Sequence, residues 1–463
     1  MELKYNLTND ANEELLEIQE IDESQEEEED IDTKGNKKSI FWLVSIFSST
    51  STFFFGNFFS AFAAEAGVSG SVMGFITSIR NLLSSLFQGF IGLLSDKIGR
   101  KFVMFGGILL NFAITIPLIF FEQTWLLITV AIVQALSISF FVPAWNATQG
   151  DVTKPEIRAT FIGKLASIGR LVSVSFSLTI AILFYLADEV YYGQEILGWT
   201  VNIPWRTQYS IAFAIAAINS LITAILILTM KETKTEDAEK KKLQMRAAFK
   251  VRSFMIFVAF YSLFGLSMSF IWPINPIMQV NVLGMEFYQI AINSSIFLIV
   301  MSVTQFVTGK LGDKIGRKPL FLFGAFVLVF YPVSNLPSLY LGDWRWQILG
   351  NFVAGFGTGT FFVALNALTL DLASNELMGT FSGVREMFWG IATFVGSLSS
   401  GFLLDFLEIR YGLLMTTIAM CIGVSAFRLL TAVGFIFVAE SLPKNERVNR
   451  LIHKNHKNNS LDS

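Results

Sequence analysis

The chain has 463 residues, 53% of them hydrophobic and 15% charged, with 47 Phe and a mean hydropathy of +0.55. A soluble chain carries about a quarter charged residues, so this composition argues against one and for a polytopic membrane protein. A formal net charge of −3 offers nothing to nucleic acid, and the one cysteine, Cys421, can form no intramolecular disulfide.

Residues 1–38 are acidic and nearly free of aromatics, with Glu26-Glu27-Glu28-Glu29-Asp30 near their end. Such a segment buries too little apolar surface to offset its chain entropy and is expected to be a disordered tail. It has neither the basic n-region nor the small-residue cleavage site of a signal peptide. Apolar runs long enough to span hydrocarbon as helices follow near 39–64, 70–94, 102–121, 125–149, 160–186 and 208–230, then 254–280, 287–309, 319–338, 346–369, 379–404 and 411–438. The division predicts a first bundle over 39–230, a charged connector over 231–253 containing Lys240-Lys241-Lys242, a second bundle over 254–440 and a basic tail over 441–463.

Lys97, Arg100, Lys101, Lys154, Arg158, the connector, Lys310 to Lys318 and the tail all fall on one side, against Arg206, Arg345 and Arg410 on the other. The positive-inside rule makes the first side cytoplasmic and places both termini there. The longest external loop, Asp188 to Arg206, carries Tyr191, Tyr192, Trp199 and Trp205, which suit the outer headgroup level.

Two stretches recur. Gly92-Leu-Leu-Ser-Asp96-Lys97-Ile98-Gly99-Arg100-Lys101, between the second and third runs, returns as Gly309-Lys-Leu-Gly-Asp313-Lys314-Ile315-Gly316-Arg317-Lys318 between the eighth and ninth. Glycine permits the tight turn and the basic residues hold it at the membrane surface. Phe141-x-x-Ala144-x-Asn146-Ala147, Asp151, Glu156 and Thr160-Phe161-x-Gly163 return 220 residues later as Phe361-x-x-Ala364-x-Asn366-Ala367, Asp371, Glu376 and Thr380-Phe381-x-Gly383. The chain is therefore duplicated.

The turn pattern G-x-x-x-D-K-x-G-R-K resembles the signature loop of the major facilitator superfamily. Over residues 39 to 440 that resemblance implies an all-α membrane protein: twelve transmembrane helices in two pseudo-symmetric six-helix bundles around a central cavity, working as a secondary transporter. Asp96 is then placed to accept hydrogen bonds from the start of the eleventh helix and to pair with Arg385. Asp313 has the same relation to the fifth helix and Lys164. Asp151 and Arg158 resemble the acidic-to-basic spacing of sugar porters, with Arg100 as the partner of Asp151. In the second half Met378 stands where Arg158 would repeat, which predicts a simpler latch around Asp371 and Arg317. The alternative is that these charges only set topology.

Ionisable groups deep in a span face a cavity or a partner. Arg80 lies roughly 24 Å of helical rise from Asp96, and Arg170 is central in the fifth run. A guanidinium fork suits a carboxylate or phosphate of a solute; bonding to Gln134 within the bundle is the other reading for Arg80, and a serine-lined packing seam the other for Arg170. Gln134 itself, Trp272, Asn275 and Trp389 are further candidates for solute contact. Arg428 is on the twelfth helix, which in the resembled family supports the cavity from outside, so snorkelling is expected of it. Glu386 is the candidate for proton coupling, with pairing to Arg385 as the alternative. The Ser and Thr residues of the first span suit close packing, and Pro273 with Pro276 predict a kink in the seventh.

Some features of the resembled family are absent: Ala131 occupies the arginine position of the proton-linked R-x-x-Q-G pattern, although Gln134 is retained, and the fifth run lacks the Gly-Pro signature of drug antiporters. Neither a nucleotide-binding loop nor a metal or cofactor motif is visible. The expectation is a monomeric, multi-pass secondary transporter of the cell membrane that moves a small organic solute, an anion among the candidates, with a coupling proton or ion. Export of hydrophobic compounds is the alternative, and a non-transporting sensor or scaffold a second.

Overall fold

The computed structural model describes residues 33–154, 158–196, 199–233, 249, 251–372 and 378–437. Most of the acidic tail, most of the connector and the basic tail lie outside them. Among the described residues the chain forms twelve long helices: α1 Lys38–Glu65, α2 Gly70–Ile98, α3 Arg100–Phe120, α4 Thr124–Asp151, α5 Arg158–Tyr185, α6 Trp205–Thr229, α7 Arg252–Ser269, α8 Phe287–Ile315, α9 Arg317–Ser334, α10 Gln347–Leu372, α11 Met378–Tyr411 and α12 Leu413–Gly434. Eleven are long and apolar enough to cross a membrane. The twelfth, α2, has its apolar run diluted by Arg80, Asn81 and Gln88. The loop between α5 and α6 adds one antiparallel ribbon of two residues per strand, Glu195–Ile196 with Trp199–Thr200.

The two signature turns are built on glycine. Gly99 and Gly316 sit at φ of 113° and 93°, where a side chain would be strained, and each ends one helix while starting the next. We call the end of the molecule that carries them the basic end. Helix α7 stops at Ser269, four residues before Pro273, and resumes as Ile271–Ile277. Proline has no N–H to donate to the carbonyl four residues earlier, and its ring clashes with that carbonyl. The hydroxyls of Ser397 and Ser400 on α11 donate to the Ser269 and Phe270 carbonyls at the break, so the kink leaves them satisfied in an apolar setting.

Packing follows the duplication. In the first bundle α1 packs on α5 and α6, α4 on α2 and α3, and α3 on α6; in the second α7 packs on α11 and α12, α10 on α8 and α9, and α9 on α12. The serine run of α1 is a seam. Ser45 donates to the Leu165 carbonyl, Thr50 bonds Ser173 of α5 at 3.2 Å, and Asn111 donates to Ser51 and Ser220 at 3.0 and 2.9 Å. Small polar residues let helices approach and bond where water is absent.

The bundles meet along two helix pairs, α2 with α11 and α5 with α8. At the end opposite the basic one they touch closely. A Cβ on Gly74 would lie 2.7 Å from the Ser397 carbonyl and 2.9 Å from the Gly401 Cα. The Ser71 N–H donates to Asp405 at 2.8 Å, the Tyr288 hydroxyl donates to Glu189 at 2.9 Å, and Phe58 stacks on Phe287 at 4.3 Å. Midway, Gly390 rests on Ser85 and Arg170 donates to Gln305 at 2.6 Å. One or two turns further toward the basic end, on the same faces, no described atom lies within 4 Å of the Cβ positions of Gly92, Gly163, Gly309 and Gly383. The four interface helices thus converge at one end and splay at the other.

Replacing Gly74 with Val overpacks the sealed end by about 1–3 kcal/mol, enough to move a two-state equilibrium severalfold to a hundredfold. Spin labels at Tyr192→Cys and Glu408→Cys, read by pulsed dipolar spectroscopy, should gain a longer-distance population. An unchanged distance distribution would show that the glycine contact is not what holds this end shut.

Candidate functional site

Between the bundles lies a cavity of about 480 Å³. From the first bundle it is lined by Asn57 and Ser60 of α1 and Arg80 and Asn81 of α2. The second bundle contributes Trp272, Asn275 and Gln279 of the kinked α7 segment, Tyr331 of α9, Asn351 of α10 and Arg428 of α12. No Asp or Glu is among the described residues that line it. The break in α7 brings Trp272 and Asn275 to the wall, where the Tyr331 hydroxyl donates to Asn275 at 3.2 Å. Asn351 is held by Asn293 at 2.8 Å.

Arg80 lies on this wall, as do Trp272 and Asn275. Gln134 does not: it is buried on α4, and its Oε1 has no partner among the described residues. Arg170 is at the α5–α8 contact with Gln305, and Ser173 beside it belongs to the seam with α1. Trp389 stacks on Tyr261 with 4.4 Å between centroids and fills the space over Gly265, a packing role. Arg428 departs from the snorkelling expectation. It is 1% exposed, donates to the Leu328 and Met268 carbonyls at 2.8 and 2.9 Å, and lies 5.6 Å from the Tyr331 ring centroid.

At the basic end the expected Arg100–Asp151 pair is present at 3.1 Å, and Arg100 also donates to Ser95. Arg385 is engaged inside its own bundle, with Glu386 at 2.6 Å and with Asn366 and Thr369. Lys164 is exposed on α5, and Arg317 opens α9. The side chains of Asp96, Arg158, Asp313 and Asp371 fall outside those described. Sequence reasoning missed Glu232, which it treated as part of a tether. Its carboxylate accepts the backbone N–H groups of Arg100 and Lys101 at 2.9 and 3.2 Å and so caps α3 in place of the side chain that Gly99 lacks. A partner this distant in sequence leaves no local signal.

A second hollow opens at the sealed end, lined by Glu65, Asp188, Tyr192, Trp205, Gln208 and Glu286. Glu286 forms a reciprocal capping box with Gln289 at the start of α8. Burial, reinforced by Asp188 and Glu189, raises its carboxyl above the ordinary glutamate value.

The profile of the Major Facilitator Superfamily matches residues 41–272 and 260–456. The chain belongs to that superfamily. It is a multi-pass membrane protein and a secondary transporter, with small molecules as the class of cargo. Among relatives it is 26% identical to the multidrug resistance protein MdtM of Salmonella typhimurium over 65% of this chain and 70% of that one. It is 23% identical to a putative proline/betaine transporter of Staphylococcus aureus over 74% and 77%. The match to the uncharacterized protein YqgE of Bacillus subtilis, at 25% identity, spans only 34% of that protein. In fold it is similar to the nucleoside transporter NupG, with a TM-score of 0.66 over 86% of this chain and 98% of that one at 12% identity.

Loss of a helix cap costs about 1 kcal/mol, equivalent to roughly 2–4 °C for a unit of 150–250 residues. Glu232→Ala should lower the melting temperature of this transporter by that amount, and Glu232→Gln by less. An unshifted Glu232→Ala would remove the capping role.

Proposed function

We propose that this transporter works in the cell membrane as a monomer, with the basic end and both termini in the cytoplasm, and carries a small polar organic solute by alternating access. The central cavity carries the reading. Both bundles contribute amide, hydroxyl and guanidinium groups to it, and the helices around it close toward one end and splay toward the other. With the basic end inside, this is an inward-facing arrangement. The cytoplasmic gate of the opposite state is assigned to the signature turns: Gly92, Asp96, Gly99 and Arg100 with Asp151 and Arg158, and Asp313, Gly316 and Arg317 with Lys164, Asp371 and Arg385. Glu386 is assigned to proton coupling, as the described carboxylate held at 2.6 Å by Arg385 of the gate.

Export of hydrophobic compounds is the second reading, favoured by the likeness to MdtM. Against it, most of the phenylalanines of α1, from Phe53 to Phe62, are spent in the buried core, while the cavity wall sets Asn, Gln and Arg side chains from both bundles among its apolar residues. A scaffold role has no need of the duplicated turns.

A ligand at about 100 times its dissociation constant adds roughly 2.7 kcal/mol to stability. Thermal unfolding of the purified protein against sugars, amino acids, organic anions, organic cations and lipophilic drugs should therefore give shifts for one polar class. Shifts confined to lipophilic drugs would reverse the order of the two readings.

A further inference from the structure

We propose that the solute is an organic anion whose carboxylate or phosphate is held between Arg80 of the first bundle and Arg428 of the second. This rests on the carrier reading above and names its substrate class. The cavity receives a guanidinium from each bundle, and no described carboxylate lines it.

Other arginines show what is missing. Arg100 is paired with Asp151, Arg206 with Glu122, Arg345 with Asp343 and Arg385 with Glu386, and Arg170, away from the cavity, donates to the neutral Gln305. Arg80 has neither an ion pair nor a side-chain hydrogen bond among the described residues. Arg428 is held by two backbone carbonyls, which orient its plane but bring no net charge, and its Nε has no partner although the residue is almost fully buried. An unpaired charge inside a bundle is expensive to maintain and marks a ligand or ion pathway. The planar fork of each arginine matches a carboxylate or phosphate. Asn57, Asn81, Asn275 and Gln279 line the same cavity with amide groups that can bond the neutral body of such a solute. A volume of about 480 Å³ limits it to metabolite size.

The charge preference of the cavity can be measured before any solute is identified. In a Cys421→Ala background, Ser294→Cys or Thr358→Cys places one thiol on the cavity wall. Its labelling rate is measured with anionic 2-sulfonatoethyl methanethiosulfonate and cationic 2-(trimethylammonium)ethyl methanethiosulfonate, each normalised to free cysteine. Charged clefts concentrate the opposite charge by roughly 10-fold to 1000-fold, so the anionic reagent should be favoured at least about tenfold. The preference should shrink in Arg80→Gln and in Arg428→Gln. A normalised ratio near or below one in the protein with both arginines overturns the proposal, whether or not the glutamine variants fold. So does a ratio that both glutamine variants leave intact. If a neutral solute stabilises the protein while the ratio is near one, the carrier reading stands and the anion assignment falls.

Discussion

Everything in this molecule is arranged around one constraint: in hydrocarbon, a polar group must find its partner inside the protein. Short side chains meet it by linking helices, as in the Ser51, Asn111 and Ser220 cluster that ties α1, α3 and α6 together. Where α7 breaks before Pro273, two serines of α11 take up the carbonyls at the break. The same rule gives meaning to the places where it is only partly met. Arg80 and Arg428 have no counter-charge among the described groups, and both stand on the wall of the central cavity.

Glycine spacing converts that packing into a two-ended device. On α2 and α11 the contact of Gly70 and Gly74 with Gly401 brings backbones together, while Gly92 and Gly383, on the same faces, have no described atom within 4 Å of their Cβ positions. Small residues at both ends of one interface allow either end to approach closely, though not both at once if the bundles move as rigid bodies. At the sealed end Asp405 accepts the Ser71 N–H across the bundles. A carboxylate at a helix N-terminus is held by both a hydrogen bond and the helix dipole. Contacts of this kind are modest and exposed enough to break in a transport cycle.

At the basic end two described charge clusters each lie within one bundle. Arg100 gathers Asp151, Ser95 and, through its backbone, Glu232, which ties the start of the connector to the first signature turn. Arg385 gathers Glu386, Asn366 and Thr369 in the second bundle. Neither set depends on the bundles being in contact at that end, so both persist while the helices are splayed. The Arg385–Glu386 pair joins neighbours in sequence, whereas the Arg100 cluster joins residues from α3, α4 and the connector.

The number of spans, the duplication and the family were legible in the sequence because they depend on local signals: run length and the recurrence of Asp96 to Lys101 as Asp313 to Lys318. The Arg100–Asp151 pair could be anticipated for the same reason, since both residues sit at predicted helix ends beside the same turn. Which polar residues face the cavity was not legible. Arg80 and Arg170 look alike as mid-span arginines, yet one lines the wall and the other bridges α5 and α8, because that depends on helix rotation against neighbours hundreds of residues away. Arg428 and Trp389 exchanged their expected roles on the same account, and Glu232 reached its helix cap from 132 residues along the chain. By itself the sequence determined that this chain crosses the membrane as two related halves, since hydrophobic length and repetition are properties of the chain alone. Only the tertiary structure decided which side chains share the cavity and which end is closed, since both depend on how twelve helices pack against one another.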